Sequence, residues 1–203
     1  MSRYTGPRLK VMRALGVDLP GLSRKSIADR PYPPGQHGQR QQRKSGFGLQ
    51  LQEKQKLRFN YGLSERQMRR LVLDARRDKG STGAKLGELL ERRLDNAVFR
   101  AGFAASTVAA RQLVNHSHVL VNGRKVNIPS FRVRVGDVIT LSAKGREMLV
   151  VKASFAAPAL SRPEWLAVDE AAFSATVSHL PDVAEIPFPI EMQLVVEYYS
   201  QRI

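Results

Sequence analysis

Residues 111–126, RQLVNHSHVLVNGRKV, put His116 and His118 two apart, an Asn-Gly pair at 122–123 and three cations, Arg111, Arg124 and Lys125, into one short stretch. Paired imidazoles can begin a zinc site, but such a site needs about four ligands. The chain has no cysteine, no acidic cluster adjoins the histidines, and a two-residue spacing across a helix end fixes no shared face. The Asn-Gly pair has a structural reading: both residues tolerate the positive φ of a tight hairpin turn. GSTGAK at 80–85 lacks the spacing and the Lys-Ser or Lys-Thr pair of a phosphate loop, so it is a linker. Among the acids there is no carboxylate pair or Ser/His/Asp set with supporting context. No catalytic residue, no metal and no cofactor is expected, and the chemistry left to these residues is capture of a polyanion.

The whole chain points the same way. Its 203 residues carry 33 Lys and Arg against 18 Asp and Glu, a net charge of +15 and a pI near 10.8. Such a surplus repels itself unless a polyanion neutralises it, so nucleic acid is the leading partner and an anionic membrane surface the second. No window of about 18 apolar residues could span a membrane, and MSRYTGPRLK has no apolar run of the secretory kind. The charge is uneven: residues 1–60 are net +10, 61–100 net +4, 101–152 net +6 and 153–203 net −5.

Residues 1–50, with PYPPGQHGQRQQRKSGFG at 31–48, show little periodicity and read as a basic extended arm stiffened by proline. A helical domain should follow over 51–85. LQEKQKLRFNYG is helical to Gly62, and Ser64 with Gln67 forms a capping box for a helix burying Met68, Leu71, Val72 and Ala75. Leu86, Leu90, Leu94, Ala97, Val98 and Ala101 predict one helix ending at Gly102, with Arg93, Asn96 and Arg100 on a single flank. Ser106 should cap a second helix running to about His116. Val119 and Val121 lead into the Asn-Gly turn. FRVRV at 131–135 alternates, which predicts a strand with Phe131, Val133 and Val135 on one face and Arg132 and Arg134 on the other. After the Gly136-Asp137 turn, VITL at 138–141 continues the sheet, and Met148, Val150 and Val151 are expected to extend it. Trp165, among Pro163, Leu166 and Val168, is a packing residue.

The run at 92–141 resembles the alpha-L RNA-binding module of small-subunit ribosomal protein four, some pseudouridine synthases and tyrosyl-tRNA synthetases. The resemblance rests on Arg-Leu-Asp at 93–95, Ala-Arg-Gln at 110–112, Val-Asn-Gly at 121–123 and Gly-Asp at 136–137. The flanks choose among these. MSRYTGPRLKVMRALG, PGQHG at 34–38, EKQKLRFNYGLSERQMRR at 53–70, Pro163-Glu164-Trp165-Leu166 and VVEYYSQ at 195–201 resemble the bacterial and plastid form of the small-subunit ribosomal protein four family. Many bacterial members hold zinc through cysteines in the basic N-terminal region. This chain resembles the zinc-free branch, where RNA contacts and packing must order that region instead.

The resemblance implies an α+β fold: an N-terminal basic arm and helical domain plus an RNA-binding module of two helices and a small antiparallel sheet. The domains are then 1–50 (arm), 51–85 (helical, joined by a tail helix at 190–202) and 86–185 (α+β, with the module at about 92–155). It implies a structural ribosomal protein, a primary binder of small-subunit ribosomal RNA at a multi-helix junction. Such a protein nucleates assembly of the subunit body and affects translational accuracy with neighbouring ribosomal proteins. The location would be the small ribosomal subunit of a bacterial cytoplasm or a plastid interior, with no membrane partner. The expected RNA-binding residues are Arg3, Arg8, Lys10 and Arg13 on the arm, with Arg92, Arg93, Arg100, Ser106, Arg111, Gln112, Lys125, Arg132 and Arg134 on the module. Arg40, Arg43 and Lys44 are expected to face messenger RNA where it enters the subunit. The alternative is an RNA-modifying enzyme or other RNA-binding factor carrying the same module, but an enzyme needs a catalytic domain for which too few residues remain. A DNA-binding reading lacks a recognition-helix or zinc-finger signature.

Overall fold

The computed structural model describes residues 4–40 and 43–202, which form two compact units. One unit runs to Gly87 and takes the chain back from Ile186; the other is Glu88–Glu185.

The first unit is helical. α1 (Arg8–Leu15) stops at Gly16, whose φ of 67° lets its N–H turn back to Arg13 and Met12 carbonyls. α2 (Gly46–Asn60) is capped by Ser45, and α3 (Glu65–Arg76) by the Ser64/Gln67 capping box, with both reciprocal bonds present. α3 buries Met68, Leu71, Val72 and Ala75. The tail helix, here α9 (Met192–Ser200), packs on α2 and α3 through Val195, Tyr198 and Tyr199.

The expected extended arm over 1–50 needs correction. Met12 and Leu19 are wholly buried, and Leu15, Val17 and Leu22 nearly so. The Gly21 N–H donates to Asn60 Oδ1 at 2.9 Å, fixing the segment to α2. Eight residues are too few for periodicity to declare a helix, and an isolated helix of that length is unstable in water. Burial against α2 supplies what local propensity lacks. α2 also begins at Gly46, five residues before the expected onset of order at Leu51.

In the second unit, α4 (Thr82–Glu91) is separate from α5 (Leu94–Arg100), so the single helix expected from Leu86 to Ala101 is broken at Arg92-Arg93. α6 (Thr107–Asn115) follows, with Ser106 Oγ accepting from the Ala109 N–H. The strands are β1 (Val119–Val121), β2 (Arg124–Lys125), β3 (Val138–Leu141), β4 (Leu166–Asp169) and β5 (Ser174–Val177), in the all-antiparallel order β2-β1-β3-β5-β4. Asn122 (φ 51°) and Gly123 (φ 76°) make the hairpin turn.

Two expected sheet segments are not strands. Residues 131–135 make a lone bridge between Arg132 and Arg93. Their backbone pairs with the break before α5: Leu94 N–H donates to Phe131 O at 2.8 Å and Val133 N–H to Arg92 O at 2.9 Å. Val133 is buried but Val135 is 54% exposed, so the two do not share a buried face. Residues Ala143–Glu147 form α7, and Leu149–Ala156 form α8 where Met148, Val150 and Val151 were expected to extend the sheet. The apolar run MLVV fits either element by composition. Val151, Ser154 and Phe155 are its buried side, a helical spacing. Phe155 stacks between Phe103 and Phe173, with centroids at 5.2 and 4.7 Å, and Trp165 is wholly buried in this unit's core.

Candidate nucleic-acid interface

The Arg-Leu-Asp motif is built inward. Asp95 has no exposed surface and accepts from Arg93 Nε (3.1 Å) and Nη2 (2.9 Å), from Arg111 Nε (2.9 Å) and Nη2 (2.6 Å), and from the Asn96 N–H (3.0 Å). One carboxylate thereby ties the start of α5 to the middle of α6. A second buried pair lies nearby in the chain: Arg100 Nε is 3.4 Å from Glu91 Oε2, and Arg100 Nη2 donates to Glu185 O at 2.8 Å. A buried charge costs several kcal/mol unless paired and hydrogen-bonded, so these arginines are committed to the fold. The expected cationic flank of Arg93 and Arg100 is corrected accordingly: both are about 5% exposed. Arg111 is only 14% exposed at its side chain. Arg92 is held by Glu88 at 2.5 Å and by Val133 O at 2.9 Å.

The displayed cations come from the turns. Lys125, with Arg124, is exposed on β2, and Arg132 and Arg134 are exposed on the segment lying beside Arg92–Leu94. Two motif residues fix these turns to one another. Asn122 Oδ1 accepts from Val138 N–H at 2.9 Å and its Nδ2 donates to Asp137 Oδ1 at 2.8 Å; Asp137 Oδ2 accepts from Arg134 N–H at 2.8 Å. The Val-Asn-Gly and Gly-Asp motifs thus hold the hairpin and the Arg134 turn in one register. Gln112 is exposed on α6, whereas Ser106 is nearly buried and spends its hydroxyl on the helix cap.

In the first unit, Arg8 and Lys10 are exposed on α1. Arg13 is partly buried: its Nε donates to Tyr32 O at 3.1 Å and its guanidinium lies 5.0 Å from the Tyr32 ring centroid, anchoring the proline-rich loop. That loop closes on Gly38, where a Cβ would lie 1.9 Å from the Pro33 carbonyl oxygen, so no larger residue fits. His37, Arg40, Arg43 and Lys44 are exposed around it, with Lys44 Nζ reaching Gln52 Oε1. Arg3 lies outside the described residues. Sequence reasoning passed over Arg66, Arg69 and Arg70, which α3 leaves exposed opposite its buried stripe. Its amphipathic period was the signal that could have found them. Arg124 was also left out, although it sits in the hairpin turn itself.

His116 and His118 flank a helix stop. Ser117 takes φ 59°, its N–H returns to Val114 O at 2.9 Å and the His118 N–H to Leu113 O at 3.0 Å. This is a Schellman closure made without glycine. Among the described residues, no group of three or more His, Asp or Glu could hold a metal.

Comparison with known proteins assigns the class first. Residues 3–91 match the family model described as Ribosomal protein S4/S9 N-terminal domain, and residues 92–139 match the S4 domain. Small ribosomal subunit protein uS4 of Methylobacillus flagellatus is 62% identical over the whole of both chains, and uS4B of Nitrosomonas europaea 61% identical over the whole of both. The protein named uS4 in Thermosynechococcus vestitus is 50% identical, again over the full length of each. The chain belongs to the uS4 family of small ribosomal subunit proteins.

Proposed function

We propose that the protein is a structural constituent of the small ribosomal subunit, a primary binder of its ribosomal RNA rather than an enzyme. The observation that carries this is the display of cations on several separate elements: Arg8 and Lys10 on α1, Arg66 and Arg70 on α3, Lys125 on β2, and Arg132 and Arg134 beyond it. A protein that reads one groove gathers its cations on one element. Cations on many short elements suit a junction where RNA helices of different direction must be held together against phosphate repulsion. Affinity then comes from phosphate contacts and shape, with little base reading. The buried acids Asp95 and Glu91 are consumed by arginines, which leaves them no part in acid–base chemistry.

The RNA-binding set is Arg8, Lys10, Lys125, Arg132 and Arg134, with Gln112, Arg66, Arg70 and Arg124. Arg93 and Arg100 shape the surface from beneath. Arg40, Arg43 and Lys44 are assigned to messenger RNA where it enters the subunit. Its place of work is the small subunit of a bacterial cytoplasm or a plastid. Assembly of the subunit body would start from this contact, and contacts with neighbouring ribosomal proteins would carry its influence on accuracy.

Footprinting the full chain on its own small-subunit RNA tests the reading. One multi-helix junction should be protected at low protein concentration; uniform protection along the RNA would reduce the protein to a nonspecific basic binder. Raising salt from about 50 to 200 mM should weaken binding by roughly 10³ to 10⁵ if about 6 to 10 phosphates are neutralised. Charge reversal at Arg40, Arg43 and Lys44 should slow translation of structured messages while leaving subunit assembly intact.

A further inference from the structure

The second unit carries an apolar cleft that RNA binding does not use. Its volume is about 170 Å³, and Phe103, Leu113, His116, His118, Val150 and Val151 are among its lining residues. Beside it, α8 holds Leu149 82% exposed and Val150 65% exposed, and Met148 before it is 38% exposed. Three consecutive large apolar residues in water are an unusual use of a helix whose other side already fills the core with Val151 and Phe155. The position is fixed by its surroundings. Gly145 in α7 lets that helix close on His118, where a Cβ would stand 3.3 Å from both the His118 Cβ and carbonyl oxygen, and Ser142 N–H donates to His118 O at 2.8 Å.

The chemistry of the rim selects the occupant. Lys144 and Lys152 are exposed on either side of the Met148–Val150 run, Arg146 is partly exposed, and Glu147 is the lone acid between them. The segment from Lys144 to Lys152 is therefore net positive around an aliphatic centre. A nucleobase fits this poorly, because bases stack on flat aromatic or guanidinium faces. The two imidazoles at the mouth are tilted 58° to one another with centroids 6.3 Å apart, so they offer no parallel pair of faces. Aliphatic side chains flanked by carboxylates match both the lining and the rim.

We propose that the Met148–Val150 edge of α8, with the cleft behind it, is the docking surface for a short apolar segment bearing acidic flanks, contributed by a neighbouring protein of the same particle. The proposal rests on the ribosomal reading above and adds to it the place and chemistry of a protein contact. Its test uses small subunits reconstituted from ribosomal RNA, this full chain and the remaining small-subunit proteins. Leu149→Asp with Val150→Asp replaces two exposed side chains, so the fold should be kept. In those particles the occupancy of one other protein should fall by about tenfold or more, as interface anchors do when truncated. Lys144→Glu with Lys152→Glu should deplete the same protein. A photoreactive phenylalanine analogue at position 150 should cross-link to an apolar segment of that protein with acidic neighbours. Cross-linking to RNA alone, or unchanged occupancy of every protein with ribosomal RNA affinity kept, would overturn the docking surface. Failure of the unsubstituted chain to bind ribosomal RNA would instead overturn the ribosomal reading, and the docking surface with it.

Discussion

Arg93 and Arg134 are both arginines of the same module, yet the structure uses them in opposite ways. Arg93 lies 4% exposed with its guanidinium on the buried Asp95, while Arg134 is exposed on the turn that Asn122 and Asp137 hold in place. The first kind sets shape and the second kind supplies charge to the partner. Counting cations along a basic chain therefore overstates the electrostatic footprint, because a share of them neutralises the chain's own acids in the interior. The comparison also explains why the Arg-Leu-Asp motif reads as an RNA signature without being a contact: it fixes the junction of α5 and α6 against which the displayed segment 131–134 is laid.

The contrast can be broken most severely at Asp95. Asp95→Asn removes the charge that compensates Arg93 and Arg111, and losing one partner of a buried pair costs about 3 to 5 kcal/mol. Urea unfolding should show that loss, and a cost below about 1 kcal/mol would mean the cluster is not structurally committed. The reverse case is the triple variant Lys125→Gln, Arg132→Gln, Arg134→Gln. Each lost phosphate contact lowers the salt slope of ribosomal RNA binding by about 0.9, while stability stays within about 0.5 kcal/mol because the three are surface residues. Equal damage to stability and binding would erase the distinction between the two kinds of cation.

Ser106→Ala separates the roles at smaller scale. Its hydroxyl caps α6 through Ala109 N–H, so stability should fall by about 1 kcal/mol, and RNA affinity measured on the still-folded chain should move little. A large affinity loss without a stability loss would return Ser106 to the contact set.

The smallest expected effect is the pH response of the first unit's tail clasp. Lys54 Nζ and the Tyr199 hydroxyl both donate to Glu65, at 2.8 and 2.7 Å. Partial burial pushes the Glu65 carboxyl up, but these hydrogen bonds and the charges of Lys54 and Arg58 outweigh it and hold it below its ordinary 4.5. The folded state then binds that proton more weakly than the unfolded chain. Its contribution is present above about pH 4.5 and is lost as pH falls through the lowered value. Burial, then the Glu65 hydrogen bond, raises the Tyr199 phenol far above its ordinary 10.0. That contribution is complete below pH 10 and is lost as pH rises beyond it. Glu65→Gln should flatten the acid limb of a pH–stability curve; an unchanged limb would remove Glu65 from the clasp.

Short-range features were legible. The Ser64/Gln67 box, the Ser106 cap, the Asn-Gly hairpin and the buried stripe of α3 each depend on residues within a turn or two of one another, so their chemistry is complete in a short window. The α+β class and the family resemblance followed from such motifs. Less legible was anything whose hydrogen-bond partner lies far along the chain. Residues 131–135 alternate like a strand, but their backbone is claimed by Arg92–Leu94. The arm around Met12 looked unstructured because its packing partner, α2, lies some forty residues away.

By itself, then, the sequence determined the charge surplus, the helix caps and the tight turns, since composition and local backbone preference are properties of neighbours. Which cations face outward was decided only by tertiary structure. A guanidinium's availability to phosphate depends on whether a buried carboxylate reaches it first, and that is a matter of packing between elements. Arg93 and Arg100 found such acids, while Lys125, Arg132 and Arg134 stayed in water.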